Sequence, residues 1–169
     1  MATLELRPVT KADHVWLSTF QCCMGSDRAY EREVEEFIQK KFLEGPPALA
    51  QTKLGYTPLA VTDDGDPVAV CAHRLWRECT EVPAVELVVT AIRLDRQGTR
   101  LEDGEPLIEY ISNELVAHAL DTHGGEVVSA VIHADNERSL NAAARMGLDR
   151  HISEAGRYIR VAGRFVATP

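Results

Sequence analysis

The chain has no apolar run approaching the roughly 18–20 residues that a membrane span needs, so no spanning helix and no membrane partner are expected. Its start, Met1–Thr10, carries Glu5 and Arg7 and lacks the apolar core of a signal peptide, so a cytoplasmic location is expected. Cysteine is sparse. Cys22, Cys23, Cys71 and Cys79 form no C-x-x-C pair, which removes a zinc-ribbon or dithiol reading and leaves reduced, half-buried or buried thiols. The histidines, His14, His73, His118, His123, His133 and His151, fall at no H-E-x-x-H or other metal-ligand spacing. They read as scattered, and no metal is expected. Neither G-x-x-x-x-G-K-[ST] nor G-x-S-x-G occurs, which removes a nucleotide-hydrolase loop and a nucleophile elbow. Positive charge is also short, with 18 Lys and Arg against 26 Asp and Glu and a net charge of −8. Phosphate-backbone binding needs a basic stripe, so a nucleic-acid partner is not expected. A cationic small molecule fits this balance better.

What is present is an ordinary globular composition, 45% hydrophobic over 169 residues, with no repeat or linker. One domain spanning 1–169 is the economical reading. Leu4, Leu6 and Val9 alternate with polar residues and predict a first strand. Thr10 or Asp13 can cap a helix through Trp16, Leu17 and Phe20. A second helix, from about Asp27 to Leu43, puts Tyr30, Val34, Phe37, Ile38 and Phe42 on one face, while Glu31, Glu33, Glu35 and Glu36 fall largely on the other and read as solvated. Gly45-Pro46-Pro47 would stop it.

Two apolar stretches, 59–62 and 68–72, flank Asp63-Asp64-Gly65-Asp66-Pro67 and predict a hairpin. Val85–Arg93 is the most hydrophobic strand and reads as central. A helix from about Pro106 to His118, a strand at Val127–Ile132 and a helix at Asn136–Met146 follow, the last closed by Gly147. Short strands near Arg157–Val161 and Arg164–Val166 end the chain. The fold class is therefore α/β with a mixed sheet. One strand-loop-helix-strand crossover stands out, Val85–Ile132.

That crossover loop carries Arg93, Arg96, Gln97, Gly98, Thr99 and Arg100. A glycine between strand and helix lets backbone N–H groups turn toward an anion, and the helix start adds positive potential. Three arginines nearby can neutralise phosphate. A solvated basic loop would carry the same residues.

The segment Ala91-Ile-Arg-Leu-Asp-Arg-Gln-Gly98 resembles the strand that runs into the coenzyme A loop of the GNAT superfamily of acyl-CoA N-acyltransferases. The stretch Asn136-Glu-Arg-Ser139 through Gly147-Leu148 is similar to that family's later cofactor helix. With the matching order of elements, the resemblance covers nearly the whole chain. It implies a GNAT-like, mostly antiparallel central sheet flanked by helices, with one βαβ cofactor-binding crossover. It also implies acetyl-CoA as co-substrate and a primary amine as acceptor. The backbone of Ala91, Ile92 and Arg93 would bond the pantetheine arm, and Gln97, Gly98, Thr99 and Arg100 would cradle the pyrophosphate. Asn136 would face the thiol end with Ser139 close by, and an ordinary helix cap is the alternative for Asn136. Glu86, five residues before Ala91, falls where one branch of the family carries its general base. Desolvation would suit a half-buried carboxylate to that task.

Departures from the family pattern are Arg100, where a small residue is usual, and the acidic stretch Leu101–Pro106. Glu102, Asp103 and Glu105 would cap the following helix or repel phosphate. Ala143 falls where a tyrosine general acid is frequent, and no motif fixes Tyr158 in its place. The leading expectation is an acetyl-CoA-dependent N-acetyltransferase acting on a small-molecule amine by direct attack. The alternatives are a protein or aminoacyl-tRNA amine as acceptor, or a GNAT-like binding module without activity. Homodimers through terminal strands are frequent among similar enzymes.

Overall fold

A computed structural model describes residues 4–23, 28–42, 55–77, 79 and 83–165. The expected Gly45-Pro46-Pro47 stop and Val166 lie outside these residues. Seven strands form one sheet in the order β1-β2-β3-β4-β5-β7-β6, and the chain divides into two compact units, residues 1–72 with 89–111 and residues 73–88 with 112–169. Strands β3 and β4 each contribute to both.

In the first unit, β1 (Leu4–Pro8) pairs antiparallel with β2 (Thr57–Asp63), from Leu4↔Asp63 to Pro8↔Leu59. β2 and β3 (Asp66–Leu75) are joined by Asp64 and Gly65, at φ 49° and 86°. Two successive positive φ values twist the chain the way paired strands require, so the hairpin is tighter than its sequence predicts. The first helix shrinks to a 3-10 turn at Lys11–Asp13 and α1 (His14–Leu17). Asp13 holds this corner: it takes two 2.8 Å bonds from Arg7, one from Trp16 Nε1 at 2.9 Å and one from the Thr10 N–H at 2.7 Å. The Arg7 guanidinium keeps its carboxyl well below the usual range.

Helix α2 (Ala29–Lys41) buries Tyr30 and Ile38, and Phe37, Phe42 and Tyr56 meet ring to ring at 5.6–5.8 Å. The expectation of a solvated acidic face fails at Glu35. One of its oxygens accepts the N–H groups of Cys22 and Cys23 at 2.9 and 3.1 Å, fixing the segment that precedes the helix.

In the second unit, β4 (Ala84–Ile92) runs parallel to β5 (Val127–His133), paired from Ala84↔Val127 to Leu87↔Ala130. Their crossover contains α3 (Leu107–His123), which buries Leu107, Ile111, Leu115, Val116 and Ala119 at helical spacing. It runs five residues past the predicted end, to Gly124 at φ 73°. Helix α4 (Glu137–Arg145) closes as the glycine predicts: Gly147, at φ 85°, donates to the Ala144 carbonyl, Leu148 donates to that of Ala143, and Leu148 is buried. The chain end corrects the sequence reading. Instead of two short strands after residue 157, a hairpin joins β6 (Arg150–Ala155) to β7 (Tyr158–Arg164). All of β6 is exposed at the edge of the sheet, so it lacks the alternation that betrays a strand. β7 pairs with β5 from Val127↔Arg164 to His133↔Tyr158.

Candidate active site

In the first unit, the loop after β4 is an ordered structure. A 3-10 turn at Leu94–Arg96 follows Arg93, and Gly98 sits at φ 78°, a backbone state that favours glycine. A side chain there would meet no atom within 4 Å, so the requirement is conformational and not one of space. Gln97 anchors the turn through Nε2, which donates to the Cys22 carbonyl at 2.6 Å and to that of Ile92 at 3.3 Å. The rest folds back on itself: Arg100 bridges Pro106, Leu101 N–H bonds the Glu105 carbonyl at 2.8 Å, and Leu107 N–H bonds that of Thr99 at 3.0 Å. Asp103 accepts the Glu105 N–H at 3.0 Å, so it closes the loop in place of capping the helix. Glu102 and Asp103 are exposed.

The arginines of this loop are already engaged. Arg93 reaches both oxygens of Asp66 at 3.0 and 2.9 Å and both of Asp95 at 2.6 and 3.0 Å. Arg96 adds a bond to Asp66 at 3.1 Å. These contacts hold Asp66 and Asp95 below the usual carboxylate range and push Arg93 up. Arg100 Nη1 donates to the Gly104 carbonyl at 2.6 Å. The expectation of three arginines poised for phosphate therefore changes at Arg93 and Arg96, which are paired with carboxylates, and at Arg93 the backbone is engaged too. Its N–H is bonded to the Val68 carbonyl at 2.8 Å, and its carbonyl accepts from Arg96 N–H at 2.8 Å. Ala91 and Ile92 are buried members of β4.

In the second unit, Glu86 is 5% exposed on β4, opposite Ser129 of β5. Arg74 Nη2 donates to its Oε1 at 2.8 Å, and Arg160 Nη1 donates to its Oε2 at 2.9 Å. Arg160 also reaches Ser129 Oγ at 3.3 Å and lies over the Trp76 ring, 4.8 Å from its centroid. Burial of Glu86 thus comes with two guanidinium partners. To take a proton from an amine, one oxygen must share or release an arginine. No motif marks these partners, which lie 12 and 74 residues away and meet Glu86 only through strand register.

Asn136 caps α4: its Oδ1 accepts the Ser139 N–H at 3.1 Å, the arrangement a short polar cap is expected to make. Ala143 is buried in the same helix. Tyr158 packs edge-on against His133 at 5.2 Å between centroids. Three histidines read as scattered come together in this unit: His73 lies within 2.9 Å of His118 and 3.1 Å of His123. Among the described residues no His, Cys, Asp or Glu group has the arrangement to hold a metal ion, and no helix is long and apolar enough to cross a membrane.

No family model and no curated protein matches the sequence. Solved structures do match it over almost its full length. The PaiA N-acetyltransferase of Thermoplasma acidophilum, in complex with coenzyme A, superposes with a TM-score of 0.70 over 96% of this chain and 99% of its own, at 10% identity. A Vibrio cholerae spermidine N-acetyltransferase chimera gives 0.65 over 95% of each chain at 11% identity. An aminoglycoside acetyltransferase bound to coenzyme A and kanamycin gives 0.67 over 96% and 95% at 15% identity. The chain has the GNAT acetyltransferase fold. Glu86 lies on β4, the strand that ends at the 93–106 loop.

Proposed function

We propose that this protein transfers an acetyl group from acetyl-CoA to the primary amine of a small molecule, by direct attack of the amine on the thioester. The observation that carries the reading is the ordered loop Gln97–Arg100 at the end of β4, in a fold whose solved neighbours include coenzyme A complexes. Its glycine geometry suits backbone N–H groups turned to an anion. On this reading Gln97, Gly98, Thr99 and Arg100 hold the pyrophosphate, and the β4 end at Ala91, Ile92 and Arg93 serves the pantetheine arm, with the backbones of Arg93, Gln97 and Thr99 contributing less because their N–H groups are engaged. Asn136 and Ser139, at the α4 start, serve the thiol end. Acetyl-CoA supplies an activated acyl group on a thiol that leaves readily.

The attacking amine must lose a proton, and Glu86 is the group proposed to accept it, through Oε1 on the side of the more exposed Arg74. Thermal melts with acetyl-CoA test the binding half. Ligand at 100 times its dissociation constant should add about 2.7 kcal/mol, and Gly98→Asp should abolish the shift. Free-thiol release with a panel of amines tests the chemistry. Glu86→Gln should lower the rate about 10²–10⁴-fold at neutral pH, with partial recovery at high pH and an unchanged acetyl-CoA shift. A second reading takes Glu86 as an ion-pair anchor only, motivated by its two arginine partners. It expects lost stability in Glu86→Gln and no recovery at high pH. An RNA-linked acceptor is disfavoured because Arg93 and Arg96 are already neutralised.

A further inference from the structure

The Glu86 cluster carries more information than a base assignment does. Arg74 has a side chain 45% exposed and gives a single hydrogen bond, to a carboxylate it shares with a second guanidinium. Its remaining N–H donors have no partner among the described residues. A planar guanidinium with an open edge matches a carboxylate, which can take two parallel bonds from it. Beside the same cluster, the Trp76 indole N–H is buried and has no hydrogen-bond partner among the described residues. A buried donor without an acceptor is unfavourable.

Strand register describes the rest of this face. Ser129 stands between Glu86 on one side and Ala162 on the other, and alternate residues share a face of the sheet. Val131 and Tyr158, on the face that carries Ser129 and Arg160, are 39% and 38% exposed. The face thus combines the open guanidinium edge of Arg74 with a modest apolar surface, all within one compact unit.

We propose that the amine acceptor carries a carboxylate and that Arg74 is the residue that binds it, making an amino acid or a similar amino-carboxylate the substrate class. This deepens the acetyltransferase reading and rests on it for the chemical step, but binding by Arg74 can be measured without that step. The same cluster argues against polyamines and aminoglycosides. Such acceptors would bring positive charge to a place where two guanidinium groups already share one carboxylate.

The test uses the full chain and matched pairs of probes: an amino acid, the amine that lacks its carboxylate, and the corresponding aminophosphonate. Melting shifts are read without acetyl-CoA, and thiol release is read with it. The amino acid should raise the melting temperature and be turned over with kcat/KM at least about 10-fold above its decarboxylated partner, the scale of a charge-assisted hydrogen bond. Arg74→Gln should raise KM for the amino acid about 10- to 100-fold and collapse that preference, while the acetyl-CoA shift is retained. Arg74→Lys should recover part of the preference. If the aminophosphonate outperforms the amino acid, the carboxylate assignment is overturned in favour of a phosphorylated amine. Equal or better turnover of decarboxylated amines or spermidine, or an unchanged preference in Arg74→Gln, overturns it altogether. A melting shift by the amino acid that Arg74→Gln removes, without thiol release from any amine, would leave the site standing and defeat the enzyme reading. No shift and no release with the amino acid defeats the site.

Discussion

His73 Nε2 lies 2.9 Å from His118 Nδ1, and the opposite nitrogen of the same ring lies 3.1 Å from His123 Nε2. The ring is fully buried. A neutral imidazole has one N–H and one lone pair, so His73 donates to one neighbour and accepts from the other. Burial first, then the positions of His118 and His123, push its pKa down to about 3. The folded state therefore refuses a proton that the unfolded chain binds below about 6.5. Stability is fully present above that value and falls as pH drops toward 3, by about 1.4 kcal/mol per pH unit from this group. His123, also pushed down by burial, acts in the same direction. Urea melts between pH 7 and 4.5 measure the slope, which should be flatter in His73→Leu even if that variant is weaker at pH 7. Equal slopes would remove His73 from the account.

The α4 cap makes a second prediction. Asn136→Ala removes the acceptor for the Ser139 N–H and should cost about 1 kcal/mol, whereas Asn136→Asp should keep the helix start intact. Thermal melts of both variants decide it. A matching loss in the two would mean that the amide nitrogen, and not the cap oxygen, matters.

A third prediction concerns two glycines that meet. A Cβ on Gly163 of β7 would overlap the carbonyl of Gly147, in the turn that closes α4, while a Cβ on Gly147 itself would meet nothing. Gly163→Ala therefore has to move backbone and should cost about 1–3 kcal/mol. Gly147→Ala faces only the strain of φ 85°, about 1–2 kcal/mol. The discriminating measurement is crystallographic or by NMR: Gly163→Ala should displace the Gly147–Leu148 turn, and Gly147→Ala should leave β7 in place.

Much of this architecture was legible because local signals and burial agreed. Asp64-Gly65 announced a hairpin, Gly147 closed a helix, and the apolar run of β4 marked a central strand. β6 was not legible, since every residue from Arg150 to Ala155 is exposed and only its pairing with β7 makes it a strand. α3 outran its predicted end because His118 and Thr122 stay helical, Thr122 Oγ1 bonding the His118 carbonyl at 2.7 Å. At the candidate site, sequence singled out Glu86 and Gln97-Gly98 but not the groups they bond. Arg74 and Arg160 reach Glu86, and the Cys22 carbonyl meets Gln97, by register and by turn geometry, which leave no mark on a motif.

The carboxylate of Asp66, at the hairpin turn, answers Arg93 and Arg96. A free phosphate ion or a strand of RNA is drawn to a site chiefly by net positive charge and by the release of counterions. Arg93 and Arg96 have little such charge to offer, so a stray polyanion gains little from them. What remains is direction: a turn set by Gly98 and held in place through Gln97. On the proposed reading, selection at the loop falls on a ligand's shape and reach more than on the charge of Arg93 and Arg96. Occupancy should change little as ionic strength rises and falls.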